Sequence, residues 1–260
     1  MACGPLVGNR PDSYGQRVNV VPALPAGPLA AASLSIVQAT ASAPIAGHSI
    51  RTFCYARLLA GHEGSLNDAA YDEDLLFAAC VMHDLGLGSL AAGQARFEVE
   101  GADLAATVLT EHGVAAPEVD RVWEAIALHS SAGIAHRRGL LTYLTHRGVF
   151  IDSGRDTGLP AGLIQRVRTA YPHRAGNRYL ADAIADHASR SEAAAPPGSL
   201  GFELLRRRRA EPGARALSRQ SGEPTAPGSG SANPAPSTES RHLPATATAG
   251  TARPPTGAHS

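Results

Sequence analysis

The segment LLFAACVM, residues 75–82, carries no charged side chain and ends on His83-Asp84. Asp72 stands just ahead of it, a residue whose side-chain oxygen accepts a free amide at a helix start. Gly86 and Gly88 follow and break the helical pattern. The spacing predicts a helix with Leu76, Ala79, Cys80 and His83 on one face. So apolar a helix is buried, and it carries an imidazole and a carboxylate inward at its end. A buried carboxylate without a partner is costly. The rest of the chain must therefore fold so as to bring polar partners to Asp84.

Two candidates flank the pair. His48 lies upstream in GHSIRTF, and Asp152 lies downstream in GVFIDSG. Two imidazoles and two carboxylates are the ligand types of a catalytic divalent metal that keeps positions open for water and substrate. They come from three predicted helices, the usual way a bundle core assembles such a site. The competing reading treats each as a separate polar residue.

Apolar residues at helical spacing recur along the chain. They predict helices over 28–39, 44–60, 97–112, 117–129, 139–152, 160–171 and 178–189, besides the one capped by Asp72. Gly113 is the expected stop of the 97–112 helix. No stretch alternates long enough for a sheet, and there is no internal repeat. The expected class is an all-α helical bundle. Three segments are expected: 1–23 loosely ordered, 24–190 the helical catalytic domain, and 191–260 a disordered tail rich in Pro, Ala, Ser and Thr. On that reading truncation after about Arg190 leaves activity intact.

The formal net charge is zero, which gives no support to a general polyanion-binding role. Every basic side chain that is not histidine is arginine, so a lysine Schiff base is excluded. Cys3, Cys54 and Cys80 are too few and too scattered for a disulfide framework or a thiolate metal site. Buried free thiols and a cytoplasmic location are expected. There is no signal-peptide pattern, and no run reaches the ~18 apolar residues of a membrane helix. The run Arg206 to Arg209 reads as a solvated charge run, with no nucleic acid and no membrane as partner.

The segments HSIRTFCYA, DLLFAACVMHDLGL, RFEVEGADLAATVL, VWEAIALHSS and GVFIDSG together resemble the HD-domain superfamily of metal-dependent hydrolases, in its cyanamide hydratase-like branch. The resemblance covers residues 25 to 190, and its ligand motif falls on His48, His83, Asp84 and Asp152 without substitution. It implies that Arg51, one turn after His48, contacts the substrate or a site carboxylate. It implies that Glu98 shuttles a proton or orients a ligand, with the Asp84 carboxylate as the other group able to move the proton. His129 is implied to support the ligands or to touch substrate. Glu100 and Asp103 read as helix N-terminal carboxylates, and His112 as a helix C-terminal cation. His62, His136, His146, His173 and His187 have no matching context and are expected at the surface.

One departure bears on the reaction. Nucleotidase members of the superfamily commonly place a glutamate three residues after the His-Asp pair, where this chain has Leu87. The resemblance implies a metal-dependent hydrolase or hydro-lyase acting on a small polar molecule, with water addition to a nitrile such as cyanamide, giving urea. The alternatives are a nucleotide phosphohydrolase and a non-catalytic, metal-stabilised binding module. One divalent metal ion is expected, zinc first, with iron, manganese or nickel compatible with the same ligands. A small-molecule substrate is the expected partner, and a homo-oligomer is left open.

Overall fold

The computed structural model describes residues 20–173 and 178–210. Residues 1–19 of the expected loose segment and 211–260 of the expected tail lie outside the described residues. Within them the chain is all-α, with nine helices, three short 3-10 turns and no strand. The first four helices are α1 (Pro28–Thr40), α2 (Ala43–His62), α3 (Glu73–Met82) and α4 (Phe97–Glu111). They are followed by α5 (Ala116–Leu128), α6 (Leu140–Asp152), α7 (Ala161–Ala170), α8 (Tyr179–Ala188) and α9 (Leu200–Ala210). The first eight match the expected helices to within two residues at each end.

Local chemistry explains the starts. Asp72 Oδ1 accepts from the Leu75 amide at 2.9 Å and caps α3. Proline occupies a first-turn position in α1, α2 and α5, where its missing N–H is no loss.

The core lies between α2, α3 and α6. Every residue of α3 from Leu75 to Met82 is buried, and so are most residues of α2. Phe53 of α2 meets Phe77 of α3 edge to face, with ring centres 4.9 Å apart. Cys54 and Cys80 are free and buried, and burial pushes the Cys54 thiol up to about 12, so neither is a reactive thiolate.

Two glycines set helix approaches that the site depends on. A Cβ on Gly148 of α6 would stand 2.5 Å from the Thr52 carbonyl oxygen of α2. Only glycine lets these two backbones meet so closely. One turn further along each helix, in opposite directions, the chain places His48 and Asp152. Gly86, in the turn after His83-Asp84, packs directly against the Phe97 carbonyl of α4, where a side chain has no room. That contact seats the His-Asp turn on the first turn of α4.

The expected tail boundary at 190 falls inside folded structure. Residues 191–210 are described, and α9 packs on α8. The segment is poor in apolar residues on average, which is why composition favours disorder. Its few large apolar residues are concentrated in one short helix, and tertiary packing overrides the average. Leu205 is buried, worth roughly 1.5–3 kcal/mol. Gly201 lets α9 approach Ala188, whose Cβ would be 3.2 Å from an added one. Ser199 Oγ accepts from the Phe202 amide at 3.1 Å, and Arg208 donates to the Ala185 carbonyl at 2.8 Å and to Asp186 at 2.5 Å. In the arginine run, Arg206 also pairs with Glu203.

No helix among the described residues is long and apolar enough to cross a membrane.

Candidate metal centre

Three helices deliver the site. His48 comes from the second turn of α2. His83 and Asp84 follow the last turn of α3, and His129 follows the last turn of α5. Each imidazole is held from behind through Nδ1. His83 Nδ1 donates to the Cys80 carbonyl at 2.8 Å, His129 Nδ1 to the Ile126 carbonyl at 2.7 Å, and His48 Nδ1 to Asp152 Oδ2 at 2.6 Å. The acceptors are a carboxylate and two carbonyls, which have no proton to give. Each ring is therefore protonated at Nδ1, and in its neutral form carries a lone pair at Nε2.

Those lone pairs converge on Asp84. His83 Nε2 stands 3.2 Å from Asp84 Oδ2, His48 Nε2 3.8 Å from the same oxygen, and His129 Nε2 3.8 Å from Asp84 Oδ1. One ligand atom from each of His48, His83 and Asp84 lies within 4.8 Å of the others. His48 Nε2, His83 Nε2 and Asp84 Oδ2 are buried and have no hydrogen-bond partner among the described residues. Buried polar atoms are nearly always satisfied. Three that converge, two of them imidazole lone pairs, fit a divalent cation.

Asp152 is placed differently from the other three expected ligands. Arg51 grips it in bidentate fashion, Nε to Oδ1 at 2.7 Å and Nη2 to Oδ2 at 2.9 Å, while Oδ2 also accepts from His48. Both oxygens are engaged, and the converging cluster does not include them. Asp152 stands behind His48, and Arg51 reaches this site carboxylate.

The electrostatics follow the geometry. Burial pushes the Asp84 carboxyl up, but His83, His48 and His129 around it hold it well below the usual carboxylate range. Burial acts likewise on Asp152, and the hydrogen bonds from His48 and Arg51 bring it down to about 2. Burial, then the neighbouring His83, lowers His129 to about 4, so this ring is neutral near pH 7. His83 is lowered by burial and raised by Asp84, and the second effect wins.

Glu98 is buried but does not line the cavity beside the cluster. Its Oε1 accepts from Ser130 Oγ at 2.5 Å and from Arg96 Nη2 at 2.8 Å. Ser130 does line that cavity, so Glu98 reaches the cavity through one hydroxyl. The cavity measures about 210 Å³ and is lined by the cluster, by further polar side chains and by apolar side chains from α6, α8 and α9.

Sequence reasoning missed five polar lining residues, Ser130, Ser153, Arg155, His173 and Tyr179. His173, 33 % exposed, lies 3.6 Å from Asp152 Oδ1. Ser130 was signalled only by its place after His129. His146 and His187, expected at the surface, are buried. Their rings bond the His129 and Ala95 carbonyls, so both brace backbone near the site. His62, His112 and His136 are exposed, and His112 bonds back to the Val108 carbonyl at the end of α4. Glu100 accepts the amides of Gly93 and Ala95 at 2.9 Å, and Asp103 accepts the Trp123 indole N–H at 2.8 Å.

No curated protein matches the chain. A family model described as HD domain matches residues 45–185, from the start of α2 into α8. That match spans more than half of the chain, which therefore belongs to the HD-domain family, whose members bind divalent metals and are generally metal-dependent phosphohydrolases.

Proposed function

We propose that the protein is a metal-dependent hydratase or hydrolase of a small, weakly charged molecule, with the nitrile of cyanamide as its model substrate. The observation that carries this reading is how the basic side chains around the cluster are engaged. A phosphoryl substrate needs cations to neutralise its oxygens. Arg51 is tied to Asp152 and Arg96 to Glu98, leaving Arg155, among the described residues, as the arginine that lines the cavity. Leu87 supplies no carboxylate beside the His-Asp turn.

His48, His83 and Asp84 would hold the metal, with His129 beside them. A divalent cation there supplies Lewis acidity and lowers the pKa of bound water toward neutrality. Zinc suits the imidazole-rich set. Asp152 fixes the ring of His48 and makes it a better donor, the usual work of a carboxylate behind a ligating histidine. Arg51 keeps Asp152 charged and oriented. Ser130 Oγ directs its proton to Glu98 and turns its lone pairs to the cavity, where they can accept an N–H of the substrate. Glu98 is the group that takes up or returns the proton at Ser130 Oγ. The net reaction adds one water across the C≡N bond: oxygen to carbon, protons to nitrogen, giving urea from cyanamide.

Phosphoester hydrolysis is the second reading, and family membership favours it. Elemental analysis of the protein beside Asp84→Ala, with urea formation from cyanamide and phosphate release from nucleotides assayed on both, decides between them. About one metal per chain and urea formation, both lost with Asp84, supports the proposal. Metal with phosphate release and no urea establishes the second reading. Metal without turnover on either substrate points to a binding module.

A further inference from the structure

Part of the wall of the cavity beside the metal cluster is built by residues beyond the family match. The match ends at residue 185, and α9 begins at Leu200. Leu200 and Leu204, one helical turn apart, line the cavity, while Leu205 turns inward and anchors the helix. Phe150 and Ile184 extend the same apolar surface. The helix is fastened by the Ser199 cap and by Arg208 on α8. The cavity thus joins polar lining at Asp84 and Ser130 to apolar lining on α9. Its volume of about 210 Å³ is below the roughly 300 Å³ at which pockets for drug-sized ligands begin.

We propose that the substrate carries a short apolar arm and that Leu200 and Leu204 set the length of arm the cavity accepts. This rests on the metal-centre reading above, since the polar head must sit at the cluster for its arm to reach α9. Cyanamide stands in for the reacting nitrile alone and would leave the leucines facing water, whereas an arm of a few carbons on the same polar head covers them.

The test uses probes that seek the metal whatever the natural reaction is. The zinc-loaded full-length protein is titrated calorimetrically with straight-chain hydroxamic acids, from acetohydroxamic acid to octanohydroxamic acid. Affinity is expected to rise by about fourfold per methylene over the first few carbons and then to fall as the chain outgrows the cavity. Leu204→Ala should move the optimum to longer chains, and Leu204→Trp to shorter ones. Opposite shifts cannot come from lost folding. Leu200→Ala should act as Leu204→Ala does. Acetohydroxamic acid binding with no dependence on chain length would overturn the role of α9 and leave the metal centre standing. So would a length profile unchanged in all three variants. Failure of acetohydroxamic acid itself to bind would remove the metal-centre reading, and this proposal with it.

Discussion

His48 and Asp152 are joined at 2.6 Å between α2 and α6, one turn from the point where Gly148 lies against the Thr52 carbonyl. The glycine crossing and the ligand geometry are thus one piece of construction. A helix pair held further apart would leave His48 without its acceptor and its ring free to turn.

Asp152 and Asp84 should behave differently when neutralised. Asp84→Ala removes an oxygen that faces the other ligand atoms, and metal should no longer copurify. Asp152→Asn leaves the facing atoms in place and weakens only their support, so metal affinity should fall by about 10- to 100-fold. Competition with a chromogenic chelator measures both. Equal and complete loss in the two variants would mean that Asp152 is itself a ligand.

Gly148→Ala tests the crossing. The new Cβ meets backbone at 2.5 Å, and a carbonyl cannot rotate aside as a side-chain tip can. Overpacking of this kind costs about 1–3 kcal/mol. Urea unfolding should show that loss, with weaker metal binding in the same variant. Unchanged stability would show that the helices can part without cost.

The metal-free protein should lose stability in acid through Asp152. Its folded pKa of about 2 lies below the ~3.9 of an exposed aspartate. A carboxyl depressed by folding stabilises fully above the unfolded value and loses that contribution as pH falls through the folded one. The loss amounts to about 2 kcal/mol between about pH 4 and pH 2. Urea midpoints across that range should fall more steeply in the wild type than in Asp152→Asn. Parallel slopes would show that the pair adds nothing to acid sensitivity.

Ending the chain after Arg190 should be harmful, contrary to what composition suggests. The cut removes α9, uncovers the face of α8 that it packs on, and opens the cavity at Leu200 and Leu204. Thermal unfolding should show a lower midpoint than that of the full chain. An unchanged midpoint would mean that α9 rests on the domain without supporting it.

Eight of the nine helices among the described residues were legible because they carry strong periodic patterns with proline, aspartate or glycine at their ends. His83-Asp84 was legible because a buried carboxylate demands partners. What escaped the sequence depends on tertiary placement. Residue type and spacing nominate Asp152 for the site, but they do not say whether it faces an ion or the back of an imidazole. Ser130 matters only because Glu98, 32 positions earlier, folds against it. The burial of His187 had a signal that was passed over: Ile184 and Leu180 precede it at helical spacing on the same face. α9 was hidden because a composition average over 70 residues dilutes one short helix.

The three imidazoles anchored through Nδ1 have a consequence for how the protein acquires its ion. Their donors are aimed by the fold, through two main-chain carbonyls and one carboxylate, before any cation arrives. Little side-chain freedom remains to be lost on loading, so the centre is a receptor that folding finishes first. Since affinities of such nitrogen and oxygen sites follow a common order across the first-row metals, the occupant is then chosen by which ion the surroundings supply.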